Sequence, residues 1–177
     1  AGALVLERGF SLPGQFFLGR QCAPVMTYHG AEWLLRPDRE TTEQPDRTLA
    51  ALKIQPGSTV VDLGAGNGYF SLRMARLVGD EGRVLAVDIQ PEMLELLKQR
   101  AREAKISNVE CVLATEKDPG VAPESADLTL LVDVYHELAT PQEVLSNVHR
   151  SLKPNGRLVL VEYRGEDPTV AIKPLHR

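Results

Sequence analysis

The stretch that decides the fold is Val60-Val61-Asp62-Leu63-Gly64-Ala65-Gly66-Asn67-Gly68-Tyr69-Phe70. Two β-branched residues lead to an aspartate, and glycines then fall at every second position. A run with apolar residues at helical spacing follows. This pattern predicts a buried strand, a tight turn and a helix. Glycine suits such a turn because it adopts positive φ and lets a ligand approach the backbone closely.

A second signal is an acid at the end of the next predicted strand, residues 83–87. Asp88 follows that strand and lies 20 residues beyond Gly68. An acid here suits a ribose, because two hydroxyls can donate to one carboxylate. The glycine spacing departs from the dinucleotide pattern G-x-G-x-x-G, and Asp62 would repel a pyrophosphate. The Asp62 carboxylate could instead accept hydrogen bonds from an ammonium group, directly or through water.

The pattern D-x-G-x-G-x-G, together with Asp88, resembles the nucleotide-binding loop of class I S-adenosylmethionine-dependent methyltransferases. The resemblance covers about residues 45–165 and includes LKPNGRLVLVE, residues 152–162, which is similar to that family's turn and fifth strand. Alternating strands and helices also predict a parallel sheet wound on both sides. The expected fold is therefore α/β, a doubly wound and mostly parallel sheet in the order 3-2-1-4-5. The cofactor implied is S-adenosylmethionine, with S-adenosylhomocysteine as the product.

The resemblance also implies a set of cofactor-binding residues around the carboxyl ends of the strands. Ile89 would form an apolar wall against the adenine ring. Thr115 and Glu116 are candidates for the adenine amine, because the family places a polar group in this loop. The full predicted set is Asp62, Gly64, Ala65, Gly66, Asn67, Gly68, Asp88, Ile89, Thr115, Glu116 and Asp133.

Catalytic candidates cluster after the fourth predicted strand, residues 127–132. Methyl transfer mainly requires orientation and proximity, and a general base matters only when the acceptor must lose a proton. His136 is the best-placed base, Asp133 faces either the cofactor's amino group or the acceptor, and Tyr135 is an alternate. A structural histidine is the competing interpretation of His136. No metal site is predicted.

Composition excludes several classes of protein. At 177 residues, the chain is long enough for one domain with a sizeable core. A net charge of −4 gives no basic footprint for nucleic acid. Cys22 and Cys111 are expected as buried thiols in a reducing compartment, and no apolar run reaches membrane-spanning length. The chain begins at Ala1, so an upstream signal could have been removed. The cytoplasmic location expected here therefore depends on the cofactor, a cytosolic metabolite.

The predicted organisation is an N-terminal arm or lid over residues 1–44, the methyltransferase domain over 45–165 and an irregular tail over 166–177. The arm holds five of the chain's nine aromatic residues, so it must pack on the domain. Tyr28, His29 and Trp33 either line the substrate side or only attach the arm. The mixed-charge residues 36–44 are expected to be a solvated connection.

Two features of the second half bear on the site. Thr140 and Pro141 predict a helix start with a threonine cap. The family's usual helix and antiparallel hairpin after strand 5 have no counterpart in the remaining residues, as expected of a shortened domain. The exposed edge of strand 5 would then be covered by a homodimer partner, an exchanged segment or the arm.

The resulting functional hypothesis is methyl transfer from S-adenosylmethionine to an unidentified acceptor. The family's N-P-P-Y-like motif, which is associated with amide methylation, is absent after strand 4, so a nucleic-acid base is disfavoured as the acceptor. A small molecule is therefore the preferred acceptor. One alternative is a non-catalytic S-adenosylmethionine-binding or interaction module. A more remote alternative is an NAD-dependent oxidoreductase, which the glycine spacing disfavours.

Overall fold

The computed structural model describes residues 16–17 and 20–163, so the predicted tail, residues 166–177, lies outside the described residues. At its centre is a five-stranded sheet. The strands are β1 (Thr59–Leu63), β2 (Arg83–Asp88), β3 (Val109–Leu113), β4 (Ala126–Val132) and β5 (Leu152–Val161). They lie in the order β3-β2-β1-β4-β5, and every neighbouring pair is parallel. The predicted fold class and strand order are confirmed.

Five helices accompany the sheet, and the first two precede it in the chain. They are α1 (Arg39–Thr42), α2 (Pro45–Leu52), α3 (Ser71–Val78), α4 (Pro91–Glu103) and α5 (Pro141–Ser151), with 3₁₀ turns at Tyr28–Leu35 and Tyr135–Glu137. A two-residue antiparallel pairing joins Phe16–Phe17 to Arg20–Gln21. In the described part of the chain, no helix is long and apolar enough to cross a membrane.

The core consists of layers on the two faces of the sheet. Along β1, Val60 packs with Met74 of α3, whereas the next residue, Val61, packs with Val144 and Val148 of α5. This alternation follows from the period of two in a strand. Because both faces are covered, β1 and β4 carry nearly continuous apolar residues, as central parallel strands do.

The glycine turn between β1 and α3 has the predicted backbone conformation. Gly64, Gly66 and Gly68 have φ values of 78°, 54° and 84°. The backbone N–H groups of Gly64 and Ala65 donate to the carbonyl oxygen of Val87 at 2.8 and 3.0 Å. The turn is therefore attached to the end of β2, where Asp88 lies.

The prediction that residues 36–44 form a solvated connection is wrong at Arg39, although residues 37, 38, 40–42 and 44 are exposed. This segment contains α1, and Arg39 is only 5% exposed. Its Nε donates to Glu43 Oε2 at 2.6 Å, and its guanidinium lies 4.0 Å from the centre of the Tyr69 ring. An arginine can be buried in this way because the carboxylate balances its charge and its planar group packs on the aromatic face.

Strand β5 differs in detail from the prediction. The predicted turn at residues 153–156 lies at a register shift inside the strand, between the paired positions Ala126–Leu152 and Leu128–Arg157. Among the described residues, no strand pairs with the outer edge of β5. Within the described part of the arm, residues 22–28 bond to Gln90 and to residues 136–138.

Helix α5 begins at Pro141 as predicted, but the predicted threonine cap is wrong. The side chain of Thr140 makes no capping bond to the helix. Its hydroxyl instead donates to the carbonyl oxygen of Glu116 at 2.8 Å. The start of α5 is thereby joined to the loop that follows β3.

The third glycine of the turn gives a stability prediction. A Cβ on Gly68 would lie 2.6 Å from Leu97 Cγ, whereas a Cβ on Gly57, at a similar φ of 81°, meets nothing within 4 Å. Both Gly→Ala variants incur the left-handed backbone penalty, but only Gly68→Ala adds a clash with α4. We expect Gly68→Ala to lower the free energy of unfolding by about 1–3 kcal/mol more than Gly57→Ala in urea titrations. Equal losses would contradict the packing role of Gly68.

Candidate functional site

A cavity of about 710 Å³ lies at the carboxyl ends of the strands, a volume typical of small-ligand sites. Its wall includes the glycine turn, the ends of β2 and β4, the loop after β3 and the N-terminal residues 24–34. The ionisable side chains on the wall are Asp88, Glu116, Asp133, Glu137, Arg39, His29, His136 and Tyr163. Carboxyl groups thus outnumber the single guanidinium on the described wall.

Asp88 connects the end of β2 to the glycine turn. Its Oδ2 accepts a hydrogen bond from the Gly66 N–H at 2.8 Å, and its Oδ1 accepts one from the Gln90 N–H at 2.9 Å. The side chain is buried, and burial raises the pKa of Asp88 above its ordinary value despite these bonds. Each carboxylate oxygen has a second lone-pair site, which a ligand hydroxyl could use.

Seven of the predicted cofactor-binding residues meet at this cavity. Gly64, Gly66 and Asp88 form one part of the wall. Side chains of the neighbouring loops, including the apolar Ile89, form another part of the wall. The seven that line the cavity are Gly64, Gly66, Asp88, Ile89, Thr115, Glu116 and Asp133.

Four predicted cofactor residues lie away from the cavity wall. Asp62 accepts a hydrogen bond from the Ser71 hydroxyl, and burial raises the pKa of Asp62 to about 6. Ala65 packs in a core cluster, and Gly68 faces α4. The Asn67 side-chain amide donates to the carbonyl oxygen of Ala31 at 2.7 Å. These contacts hold the turn in place.

The N-terminal arm forms part of the cavity wall, and Gln90 attaches it. The buried Gln90 amide donates to the carbonyl oxygen of Met26 at 2.9 Å and accepts the Tyr28 N–H at 2.9 Å. His29 and Trp33 line the cavity, whereas Tyr28 does not. The arm therefore contributes side chains to the site and also packs against the domain.

The loop after β4 brings His136 to the cavity and leaves Tyr135 off its wall. The buried His136 side chain has its Nδ1 2.6 Å from Glu162 Oε2, at the end of β5. The other oxygen, Glu162 Oε1, accepts the backbone N–H groups of Val134 and Tyr135 at 3.1 and 2.7 Å. Asp133 begins this turn with a left-handed φ of 55°.

Two acids on this side of the cavity have strongly shifted pKa values. Burial raises the pKa of Asp133 to about 7, with the Glu43 and Glu162 carboxylates adding to the effect. Burial likewise raises the pKa of Glu137 to about 8. Perturbed acids in a cavity indicate a functional site. No group of three or more histidine, cysteine or acidic side chains within residues 16–17 and 20–163 is arranged to hold a metal ion.

Sequence reasoning missed Arg39 and Gln90, and it did not give Glu162 its role beside His136. Gln90 lies two residues after Asp88, but a glutamine there carries no recognisable pattern. Glu162 had a usable signal, because it follows β5 at the sheet edge where β4 ends. Arg39 had none, since its burial depends on Glu43 and Tyr69 together.

Comparison with known proteins identifies related sequences. The family model for the methyltransferase domain matches residues 54–173. The chain is 32% identical over 117 residues to the ubiquinone/menaquinone biosynthesis C-methyltransferase UbiE of Klebsiella pneumoniae, covering 66% of this chain and 47% of that protein. It is 33% identical over 105 residues to an arsenite methyltransferase of Halobacterium salinarum, covering 59% of this chain and 27% of that protein. The chain spans about half the length of the UbiE relatives that it matches.

A solved structure shares the fold. The S-adenosylmethionine-dependent methyltransferase of Aquifex aeolicus superposes with a TM-score of 0.81 at 24% identity, over 86% of this chain and 81% of that one. At this identity the similarity establishes the architecture alone.

The raised pKa of Glu137 gives a prediction for stability against pH. Because its folded value of about 8 lies above the ordinary 4.5, the folded protein binds more protons between these values than the unfolded chain. The free energy of unfolding attributable to this group therefore falls as the pH rises from about 4.5 to 8. We expect Glu137→Gln to reduce the difference in unfolding free energy between pH 5 and pH 8 by about 1–3 kcal/mol. Urea titrations at both pH values would measure it.

The exposed Glu110 on β3 provides the matched control. We expect Glu110→Gln to leave the pH dependence as in wild type, because its side chain stays in water. A Glu137→Gln variant with the wild-type pH dependence would contradict the burial of Glu137 as an acid.

Proposed function

We propose that this chain, which belongs to the methyltransferase-domain family of S-adenosylmethionine-dependent methyltransferases, transfers a methyl group from S-adenosylmethionine to a small molecule. The observation that carries this proposal is the meeting of Asp88, the glycine turn and His136 around one cavity. The first two suit the nucleoside of the family's cofactor, and the third suits an acceptor. The cofactor supplies, when bound, a methyl group already activated on a sulfonium.

The described residues fit such a cofactor chemically. The polar wall offers mainly oxygen acceptors, which match a ligand with ribose hydroxyls, an ammonium group and a positive sulfur. In our proposal Asp88 accepts from the ribose hydroxyls, and Ile89 packs on the adenine ring. Thr115 and Glu116 would bind the adenine amine, and Asp133 would face the amino group or the acceptor.

Proximity and desolvation would supply most of the catalysis. Residues 24–34 and the turn after β4 line the cavity, so an acceptor inside it would be partly shielded from water and held against the methyl donor. In this proposal His136 is the base for acceptors that must lose a proton. Tyr135 lies off the wall, so we assign it no catalytic role.

A small-molecule acceptor is supported by the cavity volume of about 710 Å³ and by the names of the relatives. One relative acts in ubiquinone and menaquinone biosynthesis, and another methylates arsenite. The net charge of −4 disfavours nucleic acid as a partner. We also propose a cytoplasmic location, where the cofactor is made, and a homodimer or segment exchange along the outer edge of β5.

A non-catalytic S-adenosylmethionine-binding module is the second candidate. It is favoured by one observation, the coverage of only 47% of the UbiE relative's length. A part of the acceptor site could then belong to residues outside this chain. Binding without turnover on an acceptor panel, by the longest gene product, would favour this candidate.

The cofactor assignment is tested by calorimetric titration with S-adenosylhomocysteine, with NAD as the control ligand. We expect binding of the former alone. Asp88→Ala should weaken that binding by about 5- to 150-fold, because the lost ribose hydrogen bonds correspond to about 1–3 kcal/mol. Asp80→Ala, at an exposed turn, should bind as wild type does. Unchanged affinity in Asp88→Ala would contradict the assigned site.

A further inference from the structure

A groove of about 890 Å³ runs between α2, α3 and α4. No described residue lines both this groove and the cavity at the strand ends. Two of its leucines are open to solvent, since Leu35 is 41% and Leu77 is 44% exposed. A ligand that covered these side chains would gain hydrophobic free energy. The larger aliphatic residues on the wall are Leu35, Leu49, Ile54, Leu72 and Leu77.

Basic side chains outnumber acidic ones on the described wall of the groove. Arg73 is already paired, because its guanidinium bonds to Glu40 and its Nε lies 3.9 Å from Asp46 Oδ1. Within residues 16–17 and 20–163, the other basic groups of the wall form no ion pair. The basic residues are Lys53, Arg73, Arg76 and Arg100, and the acidic ones are Glu40, Asp46 and Glu103.

Arg100, a half-buried residue of α4, offers a free edge of its guanidinium. Its Nη1 donates to the carbonyl oxygen and to the side-chain Oδ1 of Asn67, at 2.6 and 3.2 Å. No other described residue accepts a hydrogen bond from its Nε or Nη2. These two nitrogens form an edge that binds a carboxylate with two parallel hydrogen bonds.

The surroundings of Arg100 disfavour its positive charge. Burial lowers the pKa of Arg100, and the Arg73 guanidinium lowers it further, against an opposite effect of the Glu103 carboxylate. An anion near a cation favours the charged form of that cation. A carboxylate in the groove would therefore be attracted by Arg100 and by the other basic side chains of the wall.

We propose that this groove is a second ligand site, which binds a carboxylate attached to an apolar chain. The carboxylate lies on the Nε–Nη2 edge of Arg100, and the apolar chain covers Leu35 and Leu77. Charge and apolar surface both select this class of ligand, because an inorganic anion leaves the leucines uncovered and a neutral chain leaves the arginine unpaired. The groove is separate from the proposed cofactor cavity, so this inference does not rest on the proposed function.

Arg100 also connects the groove to the glycine turn. The same guanidinium that faces the ligand holds the carbonyl oxygen of Asn67, in the middle of the turn. The Asn67 side chain in turn donates to the carbonyl oxygen of Ala31 in the arm, at 2.7 Å. A carboxylate on Arg100 changes the charge behind the bond to Asn67, so the glycine turn responds to occupancy of the groove.

The ligand class is tested by calorimetric titration of the full chain with octanoate. We expect octanoate to bind at least about tenfold more tightly than either 1-octanol or inorganic phosphate, because each of these lacks one of the two contacts. Arg100→Gln should weaken octanoate binding by about tenfold or more, since it removes a charge-assisted bidentate pair. Arg102→Gln, an exposed arginine of the same helix outside the groove, should bind octanoate as wild type does.

A second variant tests the groove without altering the bonds of Arg100 to the turn. Leu77→Glu places a negative charge on the apolar wall, and we expect it to weaken octanoate binding by about tenfold or more. Leu96→Glu, at a leucine that is 36% exposed and lies outside the groove, is the matched control and should bind normally. Absence of octanoate binding to wild type, or equal binding by Leu77→Glu and Leu96→Glu, would overturn the site.

The connection to the turn is measured by ¹H–¹⁵N NMR spectra recorded without S-adenosylhomocysteine. The Asn67 carbonyl belongs to the same peptide group as the Gly68 N–H, so the Gly68 signal reports on the bond from Arg100. We expect octanoate to shift this signal in wild type and in Leu96→Glu, but not in Leu77→Glu. A Gly68 signal that saturating octanoate leaves unmoved would overturn the connection. Failure of S-adenosylhomocysteine to bind would count against the proposed function alone.

Discussion

The bonds of the Asp88 carboxylate are the constraint on which the rest of the site depends. One oxygen holds the backbone of Gly66, and the other holds the backbone of Gln90, whose side chain attaches Met26 and Tyr28 of the arm. A single buried acid thus fixes the glycine turn, the end of β2 and the arm relative to one another. Removing a carboxylate from water is costly, and charge-assisted bonds to backbone N–H groups offset part of that cost.

The sequence alone was sufficient to predict those positions at which backbone conformation or strand period restricts the residue type. The glycines that adopt positive φ and the acid ending β2 were visible because residue type alone restricts those positions. Strand period also accounts for the side of the sheet on which Asp62 lies. It lies two residues from Val60, so both face the side covered by α3, where Ser71 bonds to it. The D-x-G motif therefore does not by itself place its aspartate in the cavity.

The sequence was insufficient where burial depends on several distant partners. Arg39 is buried because Glu43 balances its charge and the Tyr69 ring covers its guanidinium, and no periodic pattern marks that combination. The predicted helix cap at Thr140 is wrong for a similar reason. Thr140 had a local partner in the helix, but a carbonyl from another loop, that of Glu116, was within reach of its hydroxyl. Tertiary contacts overrode local rules at both positions.

Asp133 and Glu137, the two acids after β4, share a raised pKa with the same main cause, burial. Arg39 pairs with Glu43, and His136 lies beside Glu162. Burial, with neighbouring carboxylates adding to the effect, raises the pKa values of Asp133 and Glu137 to about 7 and 8. A cationic ligand in the cavity would favour the ionised carboxylates. Binding of a cation would therefore release protons from these two acids.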